Sequence, residues 1–107
     1  MTEEQILKKN KIIDLFVGRL KSEKPQLMPD YYYIKRCKYH SEWSWIMPVV
    51  EEIEKLGHRV EIIGLTCAIC GCGEENIYID EPAMTKVETV GNAIVEFIHW
   101  YIGQTSA

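Results

Sequence analysis

The C-terminal part of the chain carries an apolar stripe that is wider than one small sheet can cover. Residues 85–88 have the pattern of a capping box, and apolar residues follow them at helical spacing. The stripe comprises Val87, Val90, Ile94, Phe97, Ile98 and Tyr101, and is widened by Ala93, Val95, Trp100 and Ile102. Such a helix must lie in the centre of its own fold or pack against a second copy. Both alternatives stay open, and among partners we expect a homodimer or higher homo-oligomer through this C-terminal helix.

Two further helices are indicated by capping signals and helical spacing. Residues 2–5, Thr-Glu-Glu-Gln, have the pattern of a capping box, which predicts a helix from about residue 3 to residue 22. After Ser41, a second stripe of apolar residues at helical spacing predicts another helix. Pro48 restricts this helix, because an interior proline costs about 3 kcal/mol. We therefore expect Ser41 or Ser44 to cap the helix and Pro48 to lie in its first turns.

Three segments between the helices have the character of strands. Residues 31–39 are rich in aromatic and basic side chains without a turn signal, which predicts an edge strand. Residues 58–69 alternate in polarity but change phase beside Gly64, which indicates a bulge or a bend. Residues 77–80 are predicted to return antiparallel, so that 58–80 form a hairpin.

The order of these elements predicts the class of fold. We expect an α+β fold, a compact two-layer αβαββα domain in which helices pack on a small three-stranded sheet. A chain of 107 residues is long enough for one core, so residues 1–107 are predicted to form a single domain.

Charge and hydropathy exclude some classes of partner. The net charge is −4, which disfavours non-specific binding to nucleic acid or membranes, although Lys35, Arg36 and Lys38 form a local basic cluster. No apolar run approaches the roughly 20 residues of a membrane helix, and the first residues lack the apolar segment of a signal peptide. We expect a cytoplasmic protein with no membrane contact.

The four cysteines suggest a possible zinc site. In a cytoplasmic protein, cysteines are more often thiols or metal ligands than disulfides. The candidate ligands are Cys37, His40, Cys67, Cys70 and Cys72. Zinc needs four such ligands in a tetrahedron, yet Cys67 lies in an alternating apolar strand where a buried thiol is the simpler interpretation. We expect no metal and no other cofactor, and a small zinc-stabilised regulatory or interaction module is an alternative.

The stretch YHSEWSW, residues 39–45, concentrates aromatic side chains at the start of the second helix. One interpretation is packing, with the two tryptophans covering the core. The other is a ligand pocket, in which an indole stacks on a base while basic residues and the helix start meet an anion. The candidate ligand-binding residues are Lys35, Arg36, Tyr39, His40, Ser41, Trp43 and Trp45.

The sequence contains no recognisable catalytic motif. It has no glycine-rich phosphate loop, nucleophile elbow or H-E-x-x-H pattern. His40 is the one histidine with suggestive surroundings for a general base. We therefore expect a protein that is not an enzyme, with no catalytic residues.

Two segments together resemble small phage and prophage proteins. Residues 39–57 are similar to a Y-H-S-x-W-x-W-x-M-P-V-V-E helix, and residues 85–101 to a C-terminal V-E-F-I-x-W-Y helix, which is 36 of 107 residues. The positions that the resemblance highlights are Tyr39, His40, Ser41, Trp43, Trp45, Met47, Pro48, Lys86, Glu88, Glu96, Phe97, Trp100 and Tyr101. The resemblance implies a phage context, and host cell cytoplasm as the location, without implying a chemistry.

Small phage proteins that lack catalytic motifs often act by binding. We therefore expect a non-enzymatic phage-type binding protein with a counter-defence role. It would inhibit a host immunity protein or sequester its nucleotide-derived signal, so the partner is a host defence protein or a nucleotide-like small ligand. A further alternative is an inhibitor that mimics nucleic acid, with Glu51, Glu52 and Glu54 as the acidic face.

Overall fold

The computed structural model describes residues 2–21, 27–71, 76–80 and 85–105. It confirms an α+β fold with three α-helices and a three-stranded sheet within these residues. The elements are α1 (Glu3–Leu20), a π-helix (Tyr32–Arg36), α2 (Trp43–Lys55), β1 (Val60–Ile63), β2 (Thr66–Ile69), β3 (Ile77–Asp80) and α3 (Lys86–Thr105).

The sheet is antiparallel, with the strands in the order β1-β2-β3. The sequence predicted a bulge or a bend within residues 58–69. The structure has instead a complete hairpin in this segment. Ile63 pairs with Thr66, so the two strands are joined by a two-residue turn in which Gly64 has a φ of +59°. The predicted change of phase beside Gly64 is this turn. The pairing of β2 with β3 confirms the predicted antiparallel return.

The predicted edge strand over residues 31–39 is wrong, because most of this segment is a π-helix. Its closing hydrogen bond runs from the Cys37 amide to the Tyr32 carbonyl at 3.0 Å. Asn10 Nδ2 on α1 donates to the carbonyls of Tyr33 at 2.7 Å and Cys37 at 3.0 Å. The side chains of Tyr33 and Cys37 are both completely buried. Backbone bonding to α1 and burial of these two residues replace the pairing that a strand would need.

Helix α2 begins at Trp43, and its N-cap residue is Glu42, whose side chain makes no capping hydrogen bond. The prediction of Ser41 or Ser44 as the cap is therefore wrong. Ser41 lies in the turn before the helix, where its amide bonds to the Lys38 carbonyl, and Ser44 lies inside the first turn. Pro48 lies inside the helix near its start, as predicted.

Helix α3 lies in the middle of the fold. It packs against α1, α2, β2 and β3, and its stripe is buried from Val87 to Ile98. At the start of α3, Thr85 Oγ1 accepts a hydrogen bond from the Glu88 amide. The capping box of α1 is complete, because the side chains of Thr2 and Gln5 each accept a hydrogen bond from the other's backbone amide. The apolar stripe is thus covered by the chain itself, with Ile102 still 38% exposed. The central-helix alternative accounts for the stripe without a second copy.

Candidate ligand site between helices α1 and α2

A cleft of about 310 Å³ opens between the end of α1 and the start of α2. Its walls combine apolar, aromatic and charged side chains. They are Val17, Lys21, Tyr39, Ser44, Trp45, Pro48, Val49 and Glu52. The volume is at the lower end of the range for small-molecule sites, about 300–1,000 Å³. The structure therefore brings part of the aromatic stretch to a concave surface.

Tyr39 forms the fixed wall of this cleft. Its side chain is buried, and its hydroxyl donates a hydrogen bond to Asp14 Oδ1 at 3.0 Å. Burial, and then the neighbouring Asp14 carboxylate, raise the pKa of Tyr39. The phenol therefore stays neutral and keeps its proton on the bond to Asp14. Tyr39 therefore shapes the cleft, while its hydroxyl hydrogen is already bonded to Asp14.

The two tryptophans of the stretch occupy different environments. Trp45 is half-buried, packs against the core and lines the cleft. Its ring meets Tyr39 edge to face, with the centroids 5.0 Å apart and the planes at 89°. Trp43 is 39% exposed and is not among the residues of the cleft. Of these two tryptophans, Trp45 is the one that lines this cleft.

Lys21 supplies the positive charge of the cleft. It is the C-cap residue of α1, where the helix dipole favours a cation, and its side chain makes no ion pair within the described part of the chain. Glu52 on the opposite wall is paired with Lys55, with Nζ and Oε1 3.2 Å apart. Glu52 is thus paired with a lysine of its own helix, and no carboxylate among the described residues pairs with Lys21.

The predicted basic residues lie elsewhere. Lys35 and Arg36 are exposed on the π-helix, and Lys35 Nζ is 3.6 Å from Glu3 Oε1 at the start of α1. Glu3 and Lys21 are 18 residues apart, which at 1.5 Å per residue is about 27 Å along the helix. The structure therefore does not bring Lys35 and Arg36 to the aromatic cleft.

His40 and Ser41 also lie outside the cleft. His40 Nδ1 is 2.9 Å from Asn10 Nδ2, whose two hydrogens also serve the carbonyls of Tyr33 and Cys37. Burial, followed by the charges of Lys38 and Lys9, lowers the pKa of His40. This histidine is a neutral structural partner of Asn10, and Ser41 is exposed in the adjoining turn.

Sequence patterns missed several walls of the cleft. Val17 and Lys21 lie on α1, and Glu52 lies on the side of α2 that faces them. Glu52 was noted in the sequence only as part of an acidic face, and no local pattern links these three residues, since they meet only when the fold brings the end of α1 towards α2. Pro48 was highlighted by the resemblance, and its ring lines the cleft.

The cysteines were considered as metal ligands. Cys37 and Cys67 are completely buried, and burial raises the pKa of both thiols to about 11. Among the described residues, the histidine, cysteine, aspartate and glutamate side chains form no group of three or more that could hold a metal ion. Cys72 lies outside the described residues, while His40 and Cys70 are half-buried.

No protein-family model matches the sequence, and comparison with curated proteins and with solved structures found no significant match. None of the described helices combines the length and the apolarity that a membrane crossing requires. We therefore argue the function from the geometry of the cleft.

Proposed function

We propose that this chain is a non-enzymatic binding protein that holds a small nucleotide-derived anion in the cleft between α1 and α2. The observation that carries the proposal is the combination of Trp45, fixed beside Tyr39, with the Lys21 cation in one cleft. An aromatic face and a cation are the two groups that recognise a base and its phosphate.

The two halves of such a ligand would make different contacts. A base would stack on the Trp45 indole, which is worth about 1–3 kcal/mol per base. A phosphate would meet Lys21 at the end of α1, and Ser44 would offer a hydroxyl from the opposite helix. Pro48 and Val49 would cover the apolar part of the ligand. We propose that these contacts hold the ligand without turning it over.

The biological role follows from the resemblance to phage proteins. A cytoplasmic protein that binds a nucleotide-derived signal without degrading it lowers the free concentration of that signal. We propose that this sequestration serves counter-defence in an infected host cell. The oligomeric state expected from α3 is not needed for this role, since the cleft is formed within one chain.

A protein target is the second candidate, and one observation favours it. Trp43 and Met47 are four residues apart on α2, and both are more than one third exposed outside the cleft. Residues at this spacing lie on one face of a helix, where they could anchor a partner protein. A host immunity protein bound at this face would be inhibited by contact rather than by loss of its signal.

Native mass spectrometry of protein purified gently from cells separates the two candidates. We expect a retained small-molecule mass in the wild type and in Trp43→Ala, and its loss in Lys21→Met. Lys86→Met is the matched control for loss of one exposed lysine charge, because Lys86 is exposed at the start of α3 and does not line the cleft. A protein that carries no small molecule, together with a co-purified partner released by Trp43→Ala, would overturn the sequestration proposal.

A further inference from the structure

A second cleft, of about 370 Å³, lies between α1 and α3, away from the aromatic stretch. Gln5, Lys8, Lys9 and Ile12 line it from α1, and Glu88, Asn92 and Val95 line it from α3. None of these residues belongs to the cleft between α1 and α2. The two clefts are therefore separate sites on the molecule.

Lys9 is the unusual residue of this second cleft. Its side chain is only 7% exposed, yet it makes no ion pair with any described residue. Among the described residues its Nζ makes one long hydrogen bond, to the main-chain oxygen of Glu88 at 3.4 Å. An ammonium group has three hydrogens to donate, and buried cations are normally paired with an anion. The amine thus retains donor capacity inside the cleft.

The Lys9 side chain lies along the backbone of α3. Gly91 is buried, and a β-carbon at that position would lie 3.4 Å from Lys9 Nζ and 3.6 Å from its Cδ, which is ordinary van der Waals contact. The lysine stem therefore runs beside Gly91 on α3. Burial lowers the pKa of Lys9 to about 8, and the charge of Glu88 opposes this shift. The amine is still mostly charged at neutral pH.

We propose that the cleft between α1 and α3 is a second ligand site, which binds a small organic carboxylate through Lys9. A monoanion matches the single buried cation, whereas a second negative charge would be repelled by Glu88 on the opposite wall. Ile12 and Val95 fit a short aliphatic body. This proposal does not rest on the proposed function. It gives the protein a second class of ligand, at a separate site.

The test is a titration of the isotope-labelled chain with isobutyrate, followed by NMR. Isobutyramide, which has the same shape without the charge, is the matched control ligand. We expect isobutyrate to shift the amide signals of residues around Lys9 and Gly91, and isobutyramide to leave them unchanged. Equal shifts with both ligands, or with neither, would overturn the proposal.

Two variants make the test specific to the amine. Lys9→Met keeps an apolar stem and removes a buried charge whose burial is itself unfavourable. We expect it to weaken isobutyrate binding by about tenfold or more, as loss of a charge-assisted hydrogen bond requires. Lys21→Met removes the cation of the other cleft and should leave isobutyrate binding unchanged. Equal weakening by both variants would mean that the anion responds only to net charge.

Discussion

Tyr39 and Trp45 stand at right angles, with their ring centroids 5.0 Å apart and the Tyr39 hydroxyl bonded to Asp14 on α1. This relationship divides the aromatic stretch into a fixed part and a presented part. Tyr39 is buried in the core. Trp45 packs against the core and also lines the cleft, whereas Trp43 is 39% exposed. The stretch is thus both the start of a helix and one wall of a site.

Removing the Tyr39 hydroxyl should loosen this corner. Tyr39→Phe deletes the bond to Asp14 while it keeps the ring beside Trp45. We expect a loss of about 1–2 kcal/mol in the free energy of unfolding, because Asp14 is half-buried and loses a donor. Urea unfolding measures the loss. Tyr31→Phe, at a position 60% exposed, is the control and should change stability little.

The two tryptophans should respond differently to truncation. Trp45→Ala removes a half-buried ring that packs on the core, and we expect it to cost about 2–3 kcal/mol, below the range for a fully buried tryptophan. Trp43→Ala should cost less than Trp45→Ala, since Trp43 is 39% exposed and buries less of its ring. Thermal unfolding of both variants provides the comparison. Equal costs would contradict the difference in burial.

Asn10 holds the π-helix through its amide hydrogens, so its replacement by an acid should be severe. Asn10→Asp would place a carboxylate against the carbonyls of Tyr33 and Cys37. We expect a loss of about 3 kcal/mol or more. Asn76 is a matched control because its Oδ1 accepts a hydrogen bond from the Gly71 amide. Asn76→Asp keeps that acceptor and should be tolerated; equal losses would contradict the assigned direction of the Asn10 bonds.

The buried amine of Lys9 should make stability depend on pH. Its folded pKa of about 8 lies below the ordinary 10.5, so burial of the charge opposes folding below pH 8 by roughly 3 kcal/mol. Between pH 8 and 10.5 the unfolded chain binds a proton that the folded chain has lost, and this opposition fades as pH rises. Lys9→Met should therefore be more stable than the wild type at neutral pH.

The advantage of Lys9→Met should shrink as pH approaches 10.5, as measured by urea unfolding at several pH values. The charged and titratable groups around Lys9 are Lys8, His40 and Glu88. Because Lys9 lowers the pKa of His40, the pKa of His40 should rise in the variant, which NMR can follow. A variant that is less stable at every pH would show instead that Lys9 supports the fold.

The sequence predicted the helices at both ends because their signals are local. The capping pattern at Thr2 and the stripe of α3 each lie within one element, and both produced the expected helix. The segment around Tyr33 was missed because its aromatic composition favours a strand, whereas the Asn10 bonds that decide its structure come from 23 and 27 residues away. Gly64 was noticed, but its turn depends on the pairing of β1 with β2.

The candidate site was predicted in part for the same reason. Tyr39 and Trp45 are marked by their composition within one short stretch. Lys21 and Lys9 carry no local mark, because surface lysines are common on helices and only packing distinguishes these two. The basic cluster at Lys35 was visible in sequence, but the length of α1 separates it from the aromatic cleft.

The central claim is that Trp45 and Lys21 together bind a nucleotide-derived anion. Its most direct test is an NMR titration with adenosine 5′-monophosphate, read on the indole NH signals of the three tryptophans. We predict that the Trp45 signal shifts, that the Trp43 signal does not, and that Lys21→Met weakens binding by about tenfold. A Trp45 signal that stays in place at millimolar nucleotide, or that shifts equally in Lys21→Met, would contradict the claim.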